Sequence, residues 1–454
     1  VSSFDFSAIH FDFSRHSLGW PVLLSPFHES AFDAYRLALY SGAKVNVTEQ
    51  RAANHVHLRS TPEFAARFGM GEVQATFAAQ RRQAYAWANR VCNGEYTHII
   101  HIGVGGSYAG PKAVHHALSL QRKPVVPVHF ALNPDPLSLQ AIADACPAES
   151  TLLVMCSKSF GTEEVLHNTR WLLEWKRRSG VPDSAAMHDT LAITARPDRA
   201  LEFGVERGRI LQFDETIGGR FSLWSACGFP VMCAFGTEAF DELLAGAHAA
   251  DEAFINSPVE RNAPLWQAAA SWHYRSVQQL VVLAVLLYGD VFSEMRLHIM
   301  QLVMESLGKS ARLDGGTCDA GGPFLIVDTG TACQHTFLQM LQQGASVVPV
   351  EVLTLAAQPS ALLANSAAGL AQSLTSGGTV DGPVALAGHL RCSGQRPVTC
   401  LSLADASATS LGAYLAVLEH RVFAESFLSQ TNPFDQFGVE LAKAMRGPAA
   451  RLIA

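Results

Sequence analysis

One unit constrains this chain more than any other, and it occurs twice. An apolar, β-branched run ends in a tight polar turn and passes straight into helical period. At 97–103 the run is THIIHIG, followed by VGGSYAGP and a helical stretch. At 150–155 it is STLLVM, followed by CSKSFGTEE and a helical stretch over 163–178, with Trp171, Leu172 and Trp175 on one side. A continuous apolar strand must be covered on both faces, and a helix after each strand does the covering. The chain is therefore expected to be α/β, each domain a mainly parallel sheet flanked by helices. Further strands are expected at 125–130, 190–194 and 210–213. A second series follows a helix expected over 268–287, with strands at 324–327, 347–355 and 398–403 and helices near 335–343 and 411–423. The expected division is an N-terminal helical segment (1–75), two α/β domains (76–245 and 246–425), and a C-terminal helical segment (426–454).

Composition narrows the class of partner. Apolar residues make up 48% of the 454, enough for large cores, whereas charged residues reach only 16%. The charged share is well below the roughly 25% usual for soluble proteins, so much surface must be buried internally or against a partner. A net charge of −7 opposes nucleic-acid binding, which needs a basic surface. Nine scattered cysteines without a CxxC pair suggest neither a zinc site nor a disulfide framework, and point to a reducing compartment. No basic start or apolar core of a signal peptide is visible, and the longest strictly apolar run, 280–288, is too short to span a bilayer. A cytoplasmic protein without a membrane partner is expected.

Several short motifs carry possible chemistry. The glycine-rich turn at 102–111 would let backbone approach a ligand and present helix N–H groups to an anion. It is not a dinucleotide fingerprint, because Tyr108 stands where the third glycine belongs, and no P-loop Gly-Lys-Ser/Thr follows. In the second turn Ser157, Ser159 and Thr162 place three hydroxyls at a helix start, where they serve either as caps or as phosphate donors. Arg220 follows Gly218 and Gly219 and is either a surface arginine in a turn or a group offsetting developing negative charge. Glu305 lies four residues before Lys309, the spacing of an ordinary helix pair or of a base with a neighbour. His335 and Lys443 have equally plain readings, as a capping or packed histidine and a solvated cation. His55 and His57 lack the Cys or acidic companions of a metal site, so no metal is expected.

Taken in order, the blocks NVTEQR with His55 and Arg59, IGVGGS, SKSFGTEE, GGRFSLWSA, QLVMESLGK, GTACQH, LGAYLAVLEH and NPFDQFGVELAK resemble the phosphoglucose isomerase family across most of the chain. The resemblance implies two sugar-isomerase-type domains, usually paired into a homodimer with a shared active site, acting on a small phosphosugar. It implies interconversion of glucose 6-phosphate and fructose 6-phosphate through an enediolate, without a cofactor. Gly106, Ser107, Ser157, Lys158, Ser159 and Thr162 fall where the family holds substrate, chiefly its phosphate. Arg220 falls on the residue that stabilises the enediolate and Glu305 on the base between C2 and C1. His335 matches the ring-opening group, which the family draws from the neighbouring subunit; Gln436 and Lys443 match residues that close over the sugar. The chain departs from the family pattern at Gly161, Leu307 and Phe437, and in the segment before His335. A non-catalytic sugar-phosphate sensor would keep the hydroxyl-bearing turns but has no need of Arg220, Glu305, His335 and Lys443 together. An isomerase of another phosphosugar would differ only in pocket detail.

Overall fold

The buried runs assemble into two large sheets, beside a two-stranded third at 378–379 and 391–392, in a computed structural model, which describes residues 2–441. The strands in chain order are β1 (Ser3–Phe6), β2 (Ile9–Arg15), β3 (His98–Gly103), β4 (Val128–Ala131), β5 (Thr151–Cys156), β6 (Thr190–Thr194) and β7 (Ile210–Gln212). They continue as β8 (Val282–Leu287), β9 (Phe324–Thr329), β10 (Val350–Leu355), β11 (Gly378–Thr379), β12 (Arg391–Cys392) and β13 (Val398–Leu403). The first sheet runs β4-β3-β5-β6-β7 and every pair in it is parallel. Its strands β3, β5 and β6 are buried almost along their length, as covering on both faces requires. The second sheet runs β1-β2-β13-β10-β8-β9, parallel from β13 to β9. The mainly parallel α/β class read from the sequence is the class observed.

Two local readings change. The residues expected as one helix over 268–287 form the helix Ala263–Ser276 and then the strand β8. Between them Gln279 takes a left-handed conformation at φ 58°, which turns the chain back toward the sheet. The segment 1–75, expected as helical, opens with the hairpin β1–β2, and β2 pairs antiparallel with β13 to extend the second sheet. Phe4 and Phe6, then Ile9, Phe11 and Phe13, alternate inward with polar neighbours outward, which is strand period and not helical period. In the segment 426–454, residues 426–429 finish the preceding helix, the chain bends through one short turn at Phe437–Val439, and helix begins again at Glu440; the rest of the expected C-terminal helix, residues 442–454, lies outside the described residues.

Between the sheets lie two long helices, Thr237–Asn256 and Ala408–Ser429, the second buried over most of its length. They cross closely because each offers a glycine. A Cβ on Gly246 would lie 1.8 Å from the Thr409 carbonyl oxygen, and one on Gly412 would lie 2.0 Å from that of Leu243. A buried charge cluster ties these helices to the N-terminal segment. The Arg59 guanidinium donates to both oxygens of Asp251, at 2.8 and 2.7 Å, and also to Glu419. The other Glu419 oxygen accepts from the Trp224 indole N–H at 2.8 Å. The turn that carries Arg220 is thereby anchored to the central layer. Among the described residues no helix is long and apolar enough to cross a membrane.

Candidate active site

Three turns and one helix converge at the strand ends of the first sheet. The first turn follows β3. Gly105 is left-handed at φ 56°, and a Cβ on Gly106 would sit 1.9 Å from the Gly219 carbonyl oxygen. Only glycine at 106 lets this turn press against the turn that carries Arg220. Ser107 is buried, and its carbonyl accepts 2.7 Å from His101 Nε2. His101 is fully enclosed, and burial pushes its pKa down to about 4, so a neutral ring donates that bond.

The second turn follows β5 and precedes the helix Glu163–Arg178. Thr162 stands at the N-cap position, yet its side chain makes no capping bond; its hydroxyl lies 3.0 Å from that of Ser157. Ser159 is exposed, with its Oγ accepting from the Gly161 N–H at 3.3 Å. Phe160 is held left-handed at φ 47°, a conformation costly for a bulky side chain. Gly161, where the family pattern has a hydroxyl residue, leaves room for Arg199, whose Nη1 would be 3.1 Å from an added Cβ and donates to the Ser159 carbonyl at 3.0 Å. Lys158 reaches away from these hydroxyls and donates 2.7 Å to the Glu215 carbonyl, toward which Arg51 also points. Burial first, and then Arg51, lowers the pKa of this ammonium.

Arg220 is the hub. It is buried, which sequence alone could not tell from a surface turn. Its Nε donates to Ser306 Oγ at 2.7 Å, and its Nη1 to Gln436 Oε1 at 2.9 Å and to Glu305 Oε2 at 3.4 Å. Its Nη2 donates to the carbonyls of Pro433 and, at 3.0 Å, Asp435. Burial lowers its pKa to about 10, which leaves the guanidinium charged at neutral pH. Glu305 projects from the helix Met295–Leu307 and is half-buried; its Oε2 also accepts from Gln301 Nε2 at 3.2 Å, one helical turn away. Among the described residues Oε1 of Glu305 has no hydrogen-bond partner. Leu307, the departure at the end of this helix, is buried in the core.

Lys309, expected to support Glu305 at i, i+4, donates instead to the carboxylate and carbonyl of Asp435. Asp435 Oδ2 further accepts from Thr48 Oγ1 at 2.6 Å and from Asn432 Nδ2 at 2.8 Å. This polar knot fixes the segment 432–436 over Arg220 and brings the N-terminal NVTEQR block to the site. Beside it opens a cleft of about 500 Å³ lined by Thr48, Glu305, Lys309, Asp435, Gln436 and Phe437 among others. That size suits a small polar ligand.

The geometry thus unites Gly106, Arg220, Glu305 and Gln436, with Ser107 on the adjoining turn and Ser157, Lys158, Ser159 and Thr162 at the end of the next strand. It does not bring His335 to them. His335 is exposed at the C-terminal end of the short helix Gly330–Gln334 in the second half. Lys443 lies outside the described residues. Sequence reading missed Gln301, Ser306, Thr48, Asn432 and Asp435. Gln301 carried a signal, since it precedes Glu305 by one helical turn on the same face; the others are joined only by the fold.

A family model described as phosphoglucose isomerase matches residues 12–451. The glucose-6-phosphate isomerase of Burkholderia pseudomallei (strain 1106a) is 36% identical over 472 residues, covering 98% of this chain and 86% of the relative. That of Burkholderia ambifaria (strain MC40-6) is 37% identical over 450 residues, covering 93% and 82%. A solved glucose-6-phosphate isomerase from Chlamydia trachomatis superposes with a TM-score of 0.87 at 25% identity, covering 98% of this chain and 88% of its own.

Proposed function

The chain belongs to the phosphoglucose isomerase family and is an enzyme interconverting glucose 6-phosphate and fructose 6-phosphate; from that premise we propose how its residues divide the reaction. The substrate phosphate rests on the hydroxyls and backbone N–H groups of Ser107, Ser157, Ser159 and Thr162, with Gly106 giving close approach. Lys158, on the same turn, adds positive charge near that end of the site while its ammonium is held by the Glu215 carbonyl. The sugar ring opens with acid–base help from His335 of a second subunit. Its exposed position, away from Glu305 in its own chain, supports delivery across a homodimer interface. Glu305 then takes the proton from C2 and returns it to C1 of the cis-enediolate. The carbonyl oxygen gains negative charge as the C–H bond breaks, and Arg220 stabilises it. Gln436 and Lys443 close over the sugar. The reaction serves glycolysis and gluconeogenesis in the cytoplasm.

The observation that carries this reading is the Arg220 guanidinium, buried and anchored by four groups while one edge faces the Glu305 carboxylate at 3.4 Å. A sensor would gain nothing from placing a buried cation and a carboxylate edge to edge at a cleft. The test is Glu305→Gln, which keeps size and hydrogen bonding but removes the base. Binding of a phosphorylated sugar acid should survive while isomerisation falls by about 10²–10⁴. In D₂O the wild type should place deuterium on the carbon beside the carbonyl, because the carboxyl proton exchanges with solvent. A glutamine variant that labels carbon as fast as wild type would show that another group is the base.

A further inference from the structure

The two turns that frame the site are joined beneath their ligand-facing surface by sulfur. Cys156 is the last residue of β5 and immediately precedes Ser157. Cys227 lies seven residues after Arg220, on the short turn Ala226–Gly228. Both are fully buried, and the Cys156 thiol donates to Cys227 Sγ at 3.4 Å. It is the single sulfur–sulfur hydrogen bond among the described residues. Neither cysteine takes part in the chemistry above.

We propose that Cys156 and Cys227 are a modification site, a dithiol that hydrogen peroxide oxidises to a disulfide which clamps the phosphate turn to the arginine turn. The two thiols are already differentiated. Burial drives the Cys156 pKa well up, so it keeps its proton, while the hydrogen bond from Cys156 lowers that of Cys227. Cys227 is therefore the attacking thiolate, because only the thiolate is nucleophilic. Its sulfur attacks one peroxide oxygen, the O–O bond breaks, and hydroxide leaves to take up a proton. The resulting Cys227 sulfenic acid faces Cys156, whose proton the released hydroxide takes; the Cys156 thiolate so formed displaces the second oxygen, which leaves as hydroxide and takes up the proton that Cys227 first lost. Overall two thiols and one peroxide give one disulfide and two waters, with both sulfurs oxidised and both peroxide oxygens reduced.

The clamp reaches the site through geometry. A disulfide requires about 2.05 Å between sulfurs, so the pair must close by roughly 1.3 Å from its present 3.4 Å. That closure draws Ser157 and the Arg220 turn toward each other. A misplacement of about 1 Å near reacting groups costs on the order of 10²-fold in rate. The activity arm of the test rests on the isomerase reading, whereas the cross-link arm does not.

The full chain is treated with hydrogen peroxide under native conditions, then unfolded, alkylated and digested for mass spectrometry. The expected result is a Cys156–Cys227 cross-linked peptide, appearing in step with a roughly 10²-fold loss of isomerisation that dithiothreitol reverses. Cys156→Ala and Cys227→Ala should each fold, retain activity and lose the reversible response. Two separate alanine variants guard against one of them misfolding, and the wild-type cross-link needs neither. Peroxide that leaves both thiols alkylatable, or carries Cys227 to an uncross-linked sulfinic acid, would overturn the proposal. So would a quantitative cross-link with full activity, since the clamp would then not reach the site.

Discussion

Replacing Arg220 by lysine isolates geometry from charge. Both side chains are cationic at neutral pH, so a role as a simple counter-charge predicts a mild phenotype. The arginine, however, distributes donors to Ser306, Gln436, Glu305 and two buried carbonyls, in directions that only a planar fork can serve. An ammonium presents its three donors at one point and cannot span Ser306 and the carbonyls of Pro433 and Asp435 together. Leaving a buried acceptor unpaired costs about 1–3 kcal/mol, and at least one of those carbonyls is stranded in the variant. Stability to urea should drop by that order. The segment 432–436, which carries Gln436, loses the groups that fix it over the cleft. Loss of oriented stabilisation of a developing oxyanion lowers turnover by about 10²–10³.

The assay is fructose 6-phosphate turnover coupled to oxidation of the glucose 6-phosphate formed, read as separate kcat and KM alongside urea unfolding. We expect the loss chiefly in kcat, because in the proposed mechanism Arg220 meets the enediolate only as charge develops. Arg220→Ala should be at least as impaired and should recover part of its turnover when guanidinium is added at concentrations below those that unfold the chain. A lysine variant with wild-type kcat and unchanged unfolding would refute the claim that the fork, and not the charge alone, does the work.

Three further outcomes follow from the same geometry. Ser159→Ala with Thr162→Ala should chiefly raise KM; unchanged affinity for a phosphorylated sugar acid would remove these hydroxyls from the phosphate site. Mixing inactive His335→Ala subunits with inactive Glu305→Gln subunits should restore part of the activity if sites are shared between subunits, and no recovery after verified exchange would count against sharing. His101 and His298 are fully buried, and burial pushes the pKa of each down to about 4 from 6.5. Between those values the unfolded chain binds more protons than the native one, so stability rises with pH through this window and is lost as pH falls from 6.5 toward 4. The two together should contribute several kcal/mol, which urea unfolding at pH 7 and pH 5 will test, the absence of any acid weakening showing that the rings are protonated in the fold.

What the sequence disclosed and what it withheld differ by range of interaction. Strands β3, β5 and β6 were legible because burial on both faces demands a continuous apolar run, and the turns after β3 and β5 because glycine and hydroxyl residues follow at once. The same logic failed over 268–287. An unbroken apolar run satisfies a buried helix and a buried parallel strand equally, and the break at Gln279 uses a left-handed non-glycine residue that no composition rule flags. The hairpin β1–β2 did carry a signal, the alternation of phenylalanines from Phe4 to Phe13, which strand period explains and helical period does not. The site divides in the same way. The turn residues were visible as types, yet local composition left Arg220 open and only the family resemblance singled it out, since a glycine-flanked arginine reads as a surface turn until its neighbours are known. Those neighbours, Ser306 and the segment 433–436, lie 86 and more than 200 residues away along the chain. Lys309 shows the converse error, because local spacing offered it to Glu305 while the fold supplied Asp435 from 126 residues further on. A helix pair worth about 0.2–0.5 kcal/mol yields to a partly buried ion pair that also fixes a loop. Local spacing therefore identifies candidate groups in this chain, and long-range packing decides which of them face each other across the cleft.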